Sequence, residues 1–389
     1  MSLRSRDTII AGYIPLLDSA LLVAAARLGF AADEGIDLKL VRETSWANIR
    51  DRISVGHFDV AHMLGPMPIA ASLNITSLAV PMKTAMTLGL GGNAITVSSS
   101  VWSAMDGAGA SGDGDPASTG VALAKVIAIR VRTGQPPLRF GVVHPFSGHA
   151  YELRYWLAAA GIHPDLDVEI TVLPPPLMHD ALAVGQIDGF CVGEPWNTVA
   201  IQAGTGRIAT FKEVIWPKSP EKVLGVTERW ADRNPEILSQ LIRALVKSAE
   251  WCGNEDNAPQ LAALLANEEF LDCPTEACLP ALAGQMRLAD NGPLLGASFM
   301  TLSGFAAHCP RVEHGLWFYS QMVRWGQAVY APADLDIVRK TFGSELYQRA
   351  VGQTEQGGAA AGHQASFFDD VPFDAALLED YVAGFDLKS

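Results

Sequence analysis

Apolar and polar positions alternate with two periods along this chain, and the switch between them marks its elements. Thr8 to Ala11 reads as a strand. Ala20 to Leu28 then places Leu21, Leu22, Ala25 and Leu28 on one helical face, with Gly29 closing it. Ile36 to Val41 alternates like a strand, and Ser45 is a good N-cap for a helix carrying Trp46, Ile49 and Ile53. Asp59 to Met63 reads as another strand, followed by a turn at Pro66 and Pro68. The order β-α-β-α-β implies a mostly parallel sheet covered on both faces.

Asp106 to Gly120, rich in Gly, Ser, Asp and Ala, reads as a surface loop. A second series follows: a strand at Arg139 to Val143, a helix at Ala150 to Ala160, a strand at Val168 to Leu173 and a helix ending near Gly185. A strand at Gly189 to Val192 and a helix starting near Pro195 complete it. After Lys222 the pattern predicts mainly helix. Asn234-Pro235 opens one on which Ile237, Leu241, Leu245 and Ala249 share a face. Two α/β series and a helical return predict an α/β fold of two lobes. The expected first lobe is 1–98 with 227–389, and the second is 99–226. Ligands in such folds sit in the cleft, at the carboxyl ends of strands from both lobes.

At 389 residues, 49% apolar and 18% charged, the chain can bury a large core. Its net charge of -14 argues against nucleic acid or an anionic membrane as a direct partner. The five cysteines, Cys191, Cys252, Cys273, Cys278 and Cys309, follow no metal-ligand spacing and indicate no disulfide framework. The longest apolar stretch, Leu16 to Ala32, is interrupted by Asp18 and Arg27 and is not a membrane span. Arg4 and Arg6 lead straight into the first strand rather than into a secretory signal, so the expected location is cytoplasmic, or periplasmic if a leader was removed.

The most telling segment is Asp188 to Asn197, where a short apolar strand stops at Gly193 and Pro195 opens a helix. Such a turn presents backbone N–H groups at a sheet edge and suits a small anion. His149 falls at a helix start after Pro145-Phe146-Ser147-Gly148, where a ligand role and a structural role are both open. Lys222 follows Pro217 and Pro220 in a polar loop, and Trp46 is either an indole donor or a core aromatic. Signatures of hydrolases, P-loops, dinucleotide folds and zinc proteases are absent, His57 and His62 have poor zinc spacing, and Asp369-Asp370 reads as a solvated turn. Cys191 is the one candidate for a reactive group, and its apolar context predicts an inert thiol.

Several runs together carry a family resemblance. They are Gly12-Tyr13-Ile14-Pro15-Leu16, Ser45-Trp46, Ala61 to Pro68, Arg154 to Ala159, Pro174-Pro175-Pro176 and Cys191 to Asn197. They resemble the nitrate- and bicarbonate-binding proteins of the type II periplasmic-binding fold, from Thr8 to the Tyr381–Leu387 segment. The resemblance implies a two-lobed clamshell, each lobe a mostly parallel sheet flanked by helices, holding an oxyanion without a cofactor. It places ligand roles on Trp46, Asn93, His149, Gly193 and Lys222. Asn93 stands where many transporter relatives carry the longer glutamine. Bicarbonate-binding relatives recruit calcium through a cleft carboxylate, and the sequence offers no convincing equivalent. With no leader expected, the branch resembled is the NasS-type nitrate/nitrite sensor, which implies a NasT-type RNA-binding antiterminator as partner. The alternatives are the binding component of an ABC importer for nitrate or a related oxyanion and, more remotely, an enzyme on the same fold.

Overall fold

A computed structural model describes residues 6–292, 294–295, 299–352 and 367–385. Twelve strands are formed among them: β1 (Asp7–Tyr13), β2 (Ile36–Arg42), β3 (Val60–Leu64), β4 (Met82–Thr87), β5 (Leu90–Gly91), β6 (Asn93–Ser98), β7 (Leu138–Val142), β8 (Val168–Val172), β9 (Gly189–Gly193), β10 (Gly206–Phe211), β11 (Lys222–Thr227) and β12 (Met300–Thr301). Two five-stranded sheets carry the fold, in the orders β2-β1-β3-β11-β4 and β10-β6-β9-β7-β8, while β5 pairs with β12 and bridges to Pro220.

In each large sheet four strands run one way and a single strand runs against them: β11 in the first, β6 in the second. These two are where the chain crosses between lobes. The α/β clamshell expected from the sequence is therefore present. Sheet membership, however, moves both crossings one strand earlier than the boundaries 98/99 and 226/227. Asn93–Ser98 belongs to the second sheet and Lys222–Thr227 to the first. The outermost parts of the expected first lobe, 1–5 and 386–389, lie outside the described residues, as does Leu387 of the closing segment.

Helices Ala20–Arg27 and Pro235–Cys252 cover one face of the first sheet, through Leu21, Leu22, Leu238, Leu241 and Leu245 against Ile9, Ala11 and Val60. Trp46–Ser54 and Pro66–Ser72 cover the other. Three expectations fail locally. Pro66 and Pro68 sit in a helix rather than a turn, tolerated because Pro66 occupies its first position. The stretch 106–120 is not one loop. Asp115 caps a 17-residue helix, Pro116–Arg132, by accepting the Ser118 N–H. After Lys222 comes a strand before the helices. Cys273 and Cys278 bring their sulfurs to 3.4 Å, and no disulfide is formed among the described residues. No described helix is long and apolar enough to cross a membrane.

Candidate functional site

Because each crossing strand runs against its neighbours, its first residue stands beside their carboxyl ends. Asn93 pairs with Gly193 and Lys222 with Leu64. Lys222 is thus the first residue of a central strand and 1% exposed, not a loop lysine. Trp46 opens its helix under the cap of Ser45, whose Oγ accepts the Asn48 N–H at 3.3 Å. His149 is the second residue of helix Gly148–Ala159, capped by Ser147 Oγ on the Ala150 N–H at 3.0 Å. Gly148 faces a charged cluster, since a Cβ there would displace the carboxylate of Glu221 and stand 3.2 Å from Glu152 Oε1. A Cβ at Gly193 would stand 3.4 Å from Asp18 Oδ2 and 3.5 Å from Asn93 Oδ1, so this glycine faces the same cluster.

All five residues named from the sequence therefore meet at one buried junction of the two lobes. They are joined there by five that sequence reasoning missed: Asp18, His62, Glu152, Lys212 and Glu221. Lys222 Nζ lies 2.8 Å from Asp18 Oδ2, 3.6 Å from Glu221 Oε1 and 5.7 Å from the Trp46 ring centre. Asp18 Oδ1 lies 3.0 Å from His62 Nε2, whose ring meets Trp46 edge-on. Glu221 Oε1 lies 3.0 Å from His149 Nδ1, and its Oε2 lies 3.9 Å from Lys212 Nζ. Lys212 also pairs with Glu152, which accepts an N–H of Asn93 at 3.2 Å. Three carboxylates, Asp18, Glu152 and Glu221, thus stand at the junction, each beside a lysine or histidine. They are hard to see in the sequence because each has a partner at least 44 residues away: His62 for Asp18, Lys212 for Glu152 and His149 for Glu221.

Burial alone would raise Glu221 and Asp18, yet the side chains beside them win. For Glu221, His149 and Lys222 outweigh desolvation and hold the group at about 2. For Asp18, Lys222 and His62 do the same, well below the usual carboxylate range. Burial lowers His62, only partly offset by Asp18. The Cys191 thiol is pushed far up by burial, then by Glu152 and Glu221, which leaves it inert.

Several contacts here are ion pairs by distance rather than aligned hydrogen bonds. Trp46 Nε1, Lys222 Nζ, Asn93 Oδ1, both nitrogens of His149 and both oxygens of Glu221 are buried without a hydrogen-bond partner among the described residues. Native interiors rarely leave so many polar atoms unmatched, and a concentration of them asks for an external partner. Outside the cluster, Asp369 accepts the Tyr155 hydroxyl at 3.0 Å.

The profile of the NMT1-like family matches residues 6–266. The nitrate/nitrite binding protein NrtA of Synechococcus elongatus is 30% identical over 97% of this chain and 86% of its own length. The bicarbonate transport ATP-binding protein CmpC of the same species is 33% identical over 96% of this chain, which spans about half (53%) of that protein. Among solved structures, the periplasmic nitrate-binding protein NrtA from Synechocystis PCC 6803 superposes with a TM-score of 0.88 and 25% identity, covering 99% of each chain. By their names these relatives are binding and transport proteins.

Proposed function

The chain belongs to the NMT1-like family, and from that premise we propose that it closes on nitrate or nitrite at the junction of its lobes. One observation supports it: the unmatched Trp46 N–H, Lys222 ammonium and His149 ring are buried together with Asn93 and Gly193 at the junction. A planar monoanion has three acceptor oxygens and no donor, so it needs converging N–H groups and fixed cations. A buried cation interacts far more strongly with such an anion than a surface one. The lobes we assign run to the crossing at 88–92 and resume at the return crossing at 212–221.

We further propose that binding serves sensing: a cytoplasmic clamshell that holds an RNA-binding antiterminator and releases it when the anion closes the lobes. The net charge of -14 suits docking on a basic partner and repels RNA itself. By linkage, the partner must weaken anion binding as much as the anion weakens partner binding. Delivery to an ABC importer is the second reading, favoured by the ATP-binding relative whose length the chain half spans.

Calorimetric titration with nitrate, nitrite and bicarbonate tests the ligand. Saturable 1:1 binding of nitrate or nitrite is expected, and His149→Ala should weaken it at least about tenfold, the equivalent of one charge-assisted hydrogen bond, without unfolding the protein. Absence of heat and of a thermal shift with both anions would end the reading. Gel filtration with the antiterminator separates the two uses: sensing requires a complex that nitrate dissolves.

A further inference from the structure

His149 stands between two groups that a neutral ring cannot serve together. Its Nδ1 faces Glu221 Oε1 at 3.0 Å. Glu221 lies 3.6 Å from the Lys222 ammonium and 3.9 Å from that of Lys212, and as their carboxylate partner it only accepts. A neutral imidazole has one N–H and one bare nitrogen. With the proton on Nδ1, the buried Nε2 presents a lone pair, and an oxyanion there would meet lone pair with lone pair. With the proton on Nε2, the conflict moves to Glu221. Only the imidazolium donates to both.

The surroundings offer no substitute. His62 uses both its nitrogens as a neutral ring: Nδ1 accepts the Ile14 N–H at 3.4 Å, and Nε2 faces Asp18 at 3.0 Å. Beside Glu221 stand Lys222 on its own strand, Lys212 on the neighbouring short helix and Glu152 one turn along the His149 helix. Cys191 on β9 remains a neutral thiol. Asp18, Glu152 and Glu221 carry three negative charges against two on Lys212 and Lys222. With a neutral His149 the cluster is therefore short of one positive charge before any anion enters.

We propose that Glu221 is a positioning residue that links anion binding to a proton: the anion-bound protein carries a doubly protonated His149, its second proton drawn from solvent wherever the free ring is neutral. This rests on the nitrate reading above. Affinity then falls as pH rises, by at most about tenfold per pH unit for a single coupled proton.

The test is calorimetric titration of the full chain with sodium nitrate from about pH 6 to about pH 9, spanning histidine's ordinary range, in buffer pairs of different ionisation enthalpy. Proton uptake should climb toward one per nitrate as Kd begins to rise. In Glu221→Gln the side-chain amide donates to Nδ1, which lets a neutral ring donate from Nε2. Uptake should vanish and Kd become flat with pH, whereas a merely structural role would weaken binding and keep the slope. If Glu221→Gln does not fold, His149→Gln supplies a donor that does not titrate and should bind weakly with the same flat profile. Zero uptake with a flat Kd in the wild type, or an unchanged slope in both variants, overturns the proposal. No binding at any pH overturns the nitrate reading itself.

Discussion

Two buried junctions tie the lobes together, and they are built from opposite chemistry. One is the charged cluster around Lys222. The other is a seam of rings, where Trp216 meets Trp317 at 4.0 Å, Trp317 stacks on Phe367 at 5.5 Å and Tyr155 lies 5.1 Å from Phe367. The helix Val312–Arg324, which carries Trp317, packs against Pro66–Ser72 of the first lobe and Gly148–Ala159 of the second. The junctions touch where Lys212 Nζ lies 5.1 Å from the Trp216 ring. Ring burial is non-directional and stabilises whatever the exact geometry. Buried charges stabilise only while every partner stays in place, and their desolvation offsets most of the attraction. The seam is thus suited to holding the lobes, and the cluster to answering what enters between them.

The comparison can be broken most forcefully at Trp317. Trp317→Ala should cost about 3–5 kcal/mol, the usual penalty for emptying a buried tryptophan site, measured by denaturant unfolding. Nitrate affinity of the folded protein should stay within about threefold, well under the equivalent of one hydrogen bond. A loss below about 1 kcal/mol, smaller than any buried tryptophan deletion, would deny the seam its structural role. Lys222→Met should cost about 3 kcal/mol because it removes the ammonium nearest to buried Asp18 and leaves the acids of the cluster in excess. Adding Asp18→Asn should recover much of that loss; a double variant no more stable than the single would show that the acids are not what Lys222 balances.

Glu194 sharpens the contrast at smaller scale. It is as buried as Glu221 but has no cation beside it, so burial pushes it up to about 7, offset only partly by the Thr198 hydroxyl and N–H. Its folded-state value lies above the ordinary 4.5, so the folded protein binds this proton more tightly. Stability is therefore full below about 4.5 and is lost as pH rises toward 7. Glu194→Gln removes that slope and should stabilise the protein by roughly 2–3 kcal/mol at about pH 8, with no gain at about pH 4. Equal melting shifts at both values would refute the assignment.

Local signals made much of this fold legible. Ser45 before Trp46, Gly193 before Pro195 and the leucine spacing of Ala20 to Leu28 each act within a few residues. Asp115-Pro116 was an equally local helix start, obscured by the Gly/Ala/Ser composition around it. The five proposed ligand positions came through family likeness, since neither Trp46 nor Lys222 is distinctive alone. Asp18, Glu152, Lys212 and Glu221 were not legible because their meaning lies in long-range pairs: 18 with 62 and 222, 152 with 212. The one trace was Glu221-Lys222, an acid and a base standing directly before the apolar run Val223 to Val226.

The account turns on the charged cluster being an anion site, and one paired titration addresses that. Nitrate is titrated into the wild-type protein and into the Lys222→Met, Asp18→Asn variant, whose cluster keeps its net charge and whose fold is verified by melting. Saturable 1:1 binding in the first and none in the second is predicted. No saturable binding in the wild type, or equal affinity in both, would contradict it.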